Sequence, residues 1–185
     1  MPATIHGSPT HVLIVHIVVV LLPLSVLASL LLVAVPATRR AYGVLTLVVA
    51  FVACVAVPFA FLSGSALRSR LPPSPLISRH VQLAHQLLPI AAAFGVALAV
   101  FVVLDVLQRT RIGRLNEVER RAINAAPTVR QYAENHRLVG PHRTAAVFVV
   151  VLAILTGIQV YRVGDAGAKA AWAGRLSSSA ARASH

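Results

Sequence analysis

Two short stretches of this 185-residue chain carry imidazoles at the same spacing. One reads His11-Val12-Leu13-Ile14-Val15-His16 and the other His80-Val81-Gln82-Leu83-Ala84-His85. Each opens a long uncharged run, so the pattern H-V-x-[IL]-[VA]-H places ionisable rings at the edge of an apolar helix. Intramembrane ionisable groups are functional candidates by default. Imidazole ligates haem iron, copper and zinc. Five residues along a helix advance about 7.5 Å and turn about 500°, so the second His of each pair lies deeper and points about 140° away from the first. His16 and His85 are the candidate ligands, and His11 and His80 are the alternative metal pair. A b-type haem needs two axial ligands, a slot between helices and cations for its propionates. Ala91, Ala92, Ala93 and Gly95 leave room beside the second stretch, and Arg68, Arg70 and Arg79 supply the cations. Neutral imidazoles have two other uses. They can fasten helices by bonding to Ser25, Ser29, Gln86 or a main-chain carbonyl, or they can handle protons or a polar ligand.

The elements that position these residues follow from composition. Hydrophobic residues make up 57% and charged residues 12% of the chain, against roughly 45–50% and about 25% in soluble domains. The charges cluster between four apolar runs, at about 12–35, 42–67, 81–107 and 144–164. A spanning helix needs about 20 such residues, and main-chain groups in hydrocarbon must bond internally, so each run is a transmembrane helix. The first run reads as a retained helix rather than a signal peptide, because Met1–His11 has no Lys or Arg and the run exceeds the usual length of such a segment. The expected fold is all-α: an integral-membrane, up-down-up-down four-helix bundle built from two parallel helical-hairpin repeats. Helices one and three then lie diagonally across the core.

Residues 1–11 form an N-terminal segment, 12–176 the membrane domain and 177–185 a Ser-rich tail with a disordered composition. Within 108–143, Ile112, Leu115, Val118 and Ala122 recur at helical spacing among arginines. This segment reads as a short basic amphipathic helix on the membrane surface, ended by Ala126-Pro127 and followed by a second short helix before Gly140-Pro141. Pro72, Pro73 and Pro75 stiffen the second loop, while Pro23, Pro58 and Pro89 lie within spans.

The net charge of +12 comes from 17 Lys+Arg against 5 acids. These cations flank apolar runs, so lipid headgroups and topology explain them better than nucleic acid does. The first and third loops hold ten of them and the remaining segments seven. The positive-inside rule then puts those loops in the cytoplasm and both termini outside a bacterial plasma membrane. Sixteen of the 17 are Arg, a bias typical of a GC-rich, actinobacterium-like genome. The single cysteine, Cys54, excludes an intrachain disulfide and reads as a small core residue. Asp105, the first acid within the spans, can pair with Arg109 at i+4. No phosphate loop, zinc spacing or hydrolytic constellation appears, so autonomous catalysis is not expected.

The two His stretches, together with Thr156-Gly157-Ile158-Gln159-Val160-Tyr161-Arg162-Val163-Gly164 and Gly167-Ala168-Lys169, resemble a bacterial family of predicted four-helix membrane proteins catalogued as a domain of unknown function. The resemblance covers the four spans. It implies a His near the outer start of helices one and three, which maps onto His16 and His85, with His11 and His80 beside them. Relatives fused to Rieske-type iron–sulfur domains imply, by analogy, a link to membrane redox chemistry. The Arg-rich third loop departs from the family's compact pattern. Two readings follow. In the first, the chain is a redox-associated subunit holding haem b or a metal between His16 and His85 and serving a respiratory or quinone-linked membrane partner. In the second, it is a cofactor-free accessory or scaffold protein that binds a membrane partner or a second copy of itself.

Overall fold

The computed structural model describes residues 4–5, 8–69, 73–121 and 139–183, with side chains described for 13–66, 68–69, 73–111, 113–114 and 142–172. Four helices dominate: α1 (Thr10–Ala34), α2 (Thr38–Arg68), α3 (Pro75–Arg121) and α4 (Val139–Ala183). A two-residue antiparallel ladder precedes them, β1 (Thr4–Ile5) with β2 (Ser8–Pro9), pairing Thr4 with Pro9 and Ile5 with Ser8. All four helices are long and apolar enough to cross a membrane.

The turn between α1 and α2 shows how the chain satisfies its helix ends. The last carbonyls of a helix have no partner within it. Pro36 lacks an N–H and cannot continue α1. Arg39 reaches back, donating from Nε to Leu32 O at 2.7 Å and from Nη2 to Val33 O at 2.9 Å. Thr38 Oγ1 donates to Val35 O at 2.7 Å. At the start of α3, Pro75 takes the first helical position, where its missing N–H costs nothing, and Ser74 O accepts the N–H of Ser78 at 3.0 Å.

The helices form the expected square. α1 packs on α2 and α4, and α3 packs on the same two, so α1 and α3 share a diagonal. α2 and α3 run antiparallel: Gly43 meets Val102, Cys54 meets Gly95 and Phe61 meets His85. α3 and α4 also run antiparallel, with His80 at Val163, Leu83 at Gln159 and Phe101 at His142. Leu22, Leu32, Phe94, Leu98, Phe101 and Val149 fill the interior and are at most 1% exposed. Only 28–33% of the most apolar stretch of each helix is buried, so Leu, Val and Phe side chains also cover the outside. Only hydrocarbon or another protein can cover such a surface without a large penalty. The serines of α1 are satisfied locally, Ser25 Oγ donating to Leu21 O at 2.7 Å and Ser29 Oγ to Val26 O at 2.8 Å.

Two boundaries differ from expectation. The basic segment after the third span is not a separate surface helix as far as Arg121, because α3 runs unbroken from Pro75 to that residue. Between Gln108 and Arg121 nothing stronger than Gly113 interrupts the helical propensity, and a lone glycine costs only about 1 kcal/mol. Residues 122–138, where the second short helix was expected, lie outside the described residues. The tail expected to be disordered continues α4 as far as Ala183. Its alanines, Ala170, Ala171, Ala173, Ala180 and Ala181, are the strongest helix formers, and the preceding helix supplies the nucleus.

Candidate functional site

Call the end of the bundle where α1 and α3 begin the histidine end. His16 on α1 and His85 on α3 both occupy exposed positions there. The ring of His85 tilts against Phe61 of α2 with centroids 5.7 Å apart. His11 belongs to α1 by its backbone, but its side chain lies outside the described ones. Arg68 and Arg79 are exposed at the end of α2 and the start of α3. Arg70 lies outside the described residues.

His80 is placed differently. It is half-buried against α4, and its Nδ1–H donates to the main-chain oxygen of Val163 at 3.0 Å. A carbonyl can only accept, so this nitrogen carries the hydrogen. The ring fits because residue 167 is glycine: a Cβ there would stand 3.0 Å from Cε1 and 3.1 Å from Nδ1 of His80.

One turn deeper, Gln159 of α4 is 3% exposed. Its Nε2 donates to Leu83 O at 2.8 Å and to Gln86 Oε1 at 3.3 Å. Its Oε1 accepts from Arg162 Nη1 at 3.2 Å. His80 and Gln159 therefore tie α3 to α4 through polar contacts at two levels. In hydrocarbon, where apolar side chains gain little by leaving lipid for a neighbouring helix, such bonds are a main source of helix–helix specificity.

The opposite end holds a second polar cluster. Asp105 of α3 pairs with Arg109, as its i+4 spacing predicts. The fold adds His142 of α4, whose Nε2 stands 3.8 Å from Asp105 Oδ1 and has no hydrogen-bond partner although it is shielded from solvent. Its ring lies 4.7 Å from that of Phe101. Arg39 completes the group, its guanidinium carbon 5.2 Å from the Phe101 centroid. Sequence reasoning missed His142 and Arg39. The available signal was that Asp105, an acid inside an apolar run, needs cations from neighbouring helices, and His142 opens the antiparallel fourth run at the same end.

The geometry of the His16 and His85 sites bears on haem. Axial ligands must face one another across an interior slot, whereas these two residues occupy exposed positions and the buried side chains next to them, Val18 on α1 and Leu83 and Leu87 on α3, are apolar and closely packed. The room expected beside α3 is used by α2. Cys54 Sγ–H donates to Ala91 O at 3.2 Å, and Sγ stands 3.2 Å from where a Cβ of residue 95 would be. Ala92 and Ala93 are exposed. The small residues thus let two helices approach closely, and the residues present do not fit a haem held between His16 and His85. Among the described residues, no group of three or more His, Cys, Asp or Glu side chains is placed to hold a metal ion.

Four membrane-length helices in a square bundle, with polar straps at both ends, define a small multi-pass membrane protein. The model of the family described as a predicted membrane protein, DUF2231, matches residues 7–180, and the chain belongs to that family. No curated protein and no solved structure matches it.

Proposed function

We propose that the chain is an accessory subunit of a bacterial plasma membrane, with both termini outside, that holds a partner membrane protein against its lipid-facing helices. One observation carries this reading: the two imidazoles singled out by the repeat, His16 and His85, sit at exposed positions of a bundle whose interior is already closed. Ionisable side chains within membrane helices nearly always face protein or a water-filled cavity, because hydrocarbon solvates them poorly. Protein surface over α1 and, on the other side of the diagonal, over α3 supplies that environment. The same exposure argues against a haem b or metal shared by these two residues. The basic extension of α3, with Arg109, Arg111 and Arg114 beyond the apolar run, offers such a partner a second contact.

The test is photo-crosslinking in native membranes. Benzoylphenylalanine replacing His16 or His85 should give one discrete protein adduct of constant mass, absent when Val44, exposed on α2, is replaced instead. Lipid adducts alone at all three positions would refute the partner. A Soret band in the purified protein that disappears in His16→Ala and His85→Ala would instead establish the redox-subunit reading.

A further inference from the structure

Beside the straps that join α3 to α4, on the outward side, the two helices leave a recess of about 80 Å³ whose lining includes Arg79, Leu83, Tyr161, Arg162, Asp165 and Lys169. We infer that it seats the phosphodiester of an anionic phospholipid, a site independent of any partner protein. Four observations support the assignment.

The first is charge. Three cations and one carboxylate face the recess, and the carboxylate is taken: Lys169 Nζ donates to Asp165 Oδ2 at 2.7 Å. Arg79 has neither a hydrogen-bond nor an ion-pair partner among the described residues. The recess therefore carries a surplus of two positive charges, one on each helix. The second is preorganisation. Arg162 is held by Gln159 Oε1 at 3.2 Å, and Gln159 is itself anchored on α3. That single contact uses one of the five N–H groups of the guanidinium. The others remain for an oxyanion, and guanidinium matches phosphate with two parallel bonds.

The third is level. Arg79 is the last cation before the uncharged run of α3, and Arg162 is the first after that of α4. Cations that bracket uncharged runs in this way mark the boundary between hydrocarbon and headgroups. The fourth is the wall. Leu76 and Leu83 line the recess, and Tyr161, 75% exposed, stands at its edge. That is an apolar body with a polar tip, as belongs at a membrane interface. A water needs roughly 10–15 Å³ of such space, so the recess admits a phosphate-sized group rather than one solvent molecule. A zwitterionic headgroup brings its own ammonium and gains little from the surplus charge; an anionic diester gains the full attraction.

The experiment uses the full chain in detergent, titrated with phosphatidylglycerol, phosphatidylcholine or inorganic phosphate and read by native mass spectrometry and thermal melting. Phosphatidylglycerol should bind about tenfold more tightly than phosphatidylcholine and raise the melting temperature. The double variant Arg79→Gln/Arg162→Gln should lose that preference by about tenfold or more, as expected for charge-assisted bonds. Arg111→Gln, at the opposite end, should keep it. Should the double variant melt early, Arg79→Lys/Arg162→Lys, which keeps the charge, must restore both stability and preference. Equal binding of the two lipids, an unchanged preference in the double variant, or saturation by inorganic phosphate alone would each overturn the assignment.

Discussion

His80 of α3 and Val163 of α4 are joined by a hydrogen bond from the imidazole Nδ1–H to a main-chain oxygen, 3.0 Å long, across the interface between the two longest helices. The bond exists because Gly167, one turn further along α4, presents no side chain to the ring. Donor, acceptor and cleared space come from two helices 83 residues apart in sequence, and they make a testable unit.

Gly167→Ala should destabilise the bundle by about 1–3 kcal/mol, since a methyl 3.0 Å from the ring forces His80 off its rotamer. His80→Ala alone should cost about 1 kcal/mol. The two effects should not add: in the double variant the clash has no partner, so the second substitution costs far less than it does alone. Thermal melts of the four proteins in one detergent measure the coupling, and strict additivity would refute the strap.

Gln159→Leu removes two donor bonds to α3 and strands Arg162 without its acceptor. Its volume is nearly conserved, so the loss reports polar contacts rather than a cavity. A cost of about 1–2 kcal/mol is expected. Gln86→Leu, which removes only the longer of the two contacts, should cost less. Equal melting of both variants and the parent would refute the network.

Asp105→Asn should destabilise the opposite end by about 1–3 kcal/mol. Among the described residues the carboxylate is the one acid beside Arg39, Arg109 and His142, and without it the two guanidinium groups have no counter-charge there. Arg109 is 30% exposed on its side chain, so salt should screen part of the effect. Melts at low and high ionic strength should show a smaller gap between variant and parent at high salt. A gap that widens with salt would contradict the electrostatic cause.

His85→Ala should leave the stability of the isolated protein within about 0.5 kcal/mol of the parent, and His16→Ala should cost no more than about 1 kcal/mol, as exposed positions do. His85 loses its contact with Phe61. A large loss in either variant would mean that the ring holds the bundle together, contrary to its placement.

Gly95→Val should be the most damaging single change in the interior of the α2–α3 contact, because even a Cβ comes within 3.2 Å of Cys54 Sγ. Combining it with Cys54→Ala should recover part of the loss, about 1 kcal/mol, by vacating that space. Absence of any recovery would show that the clash is with backbone rather than with the thiol.

Much of this architecture was legible before any coordinates. The four apolar runs became the four helices, and the short first loop fixed α1 and α2 as an antiparallel pair. The i+4 spacing of Asp105 and Arg109 became a salt bridge. These features depend on composition and short separations, which act along one chain segment. The continuity of α3 through Arg121 was misjudged because surface helices and helix extensions share the same basic amphipathic pattern.

The sequence by itself determined that the chain crosses a membrane as helices, because unpaired main-chain groups are too costly in hydrocarbon and the runs are long enough to span it. It did not determine which way each helix faces. A water-soluble helix announces its buried side through a polar stripe, but helices apolar all round carry no such mark, since lipid is as apolar as the core. Only the tertiary structure decided that His80 turns inward to Val163 while His16 and His85 stay exposed, that Cys54 takes the space beside Gly95, and that Arg39 and His142 join Asp105. Those choices rest on close packing and a few polar contacts between distant segments, which spacing along one chain cannot encode.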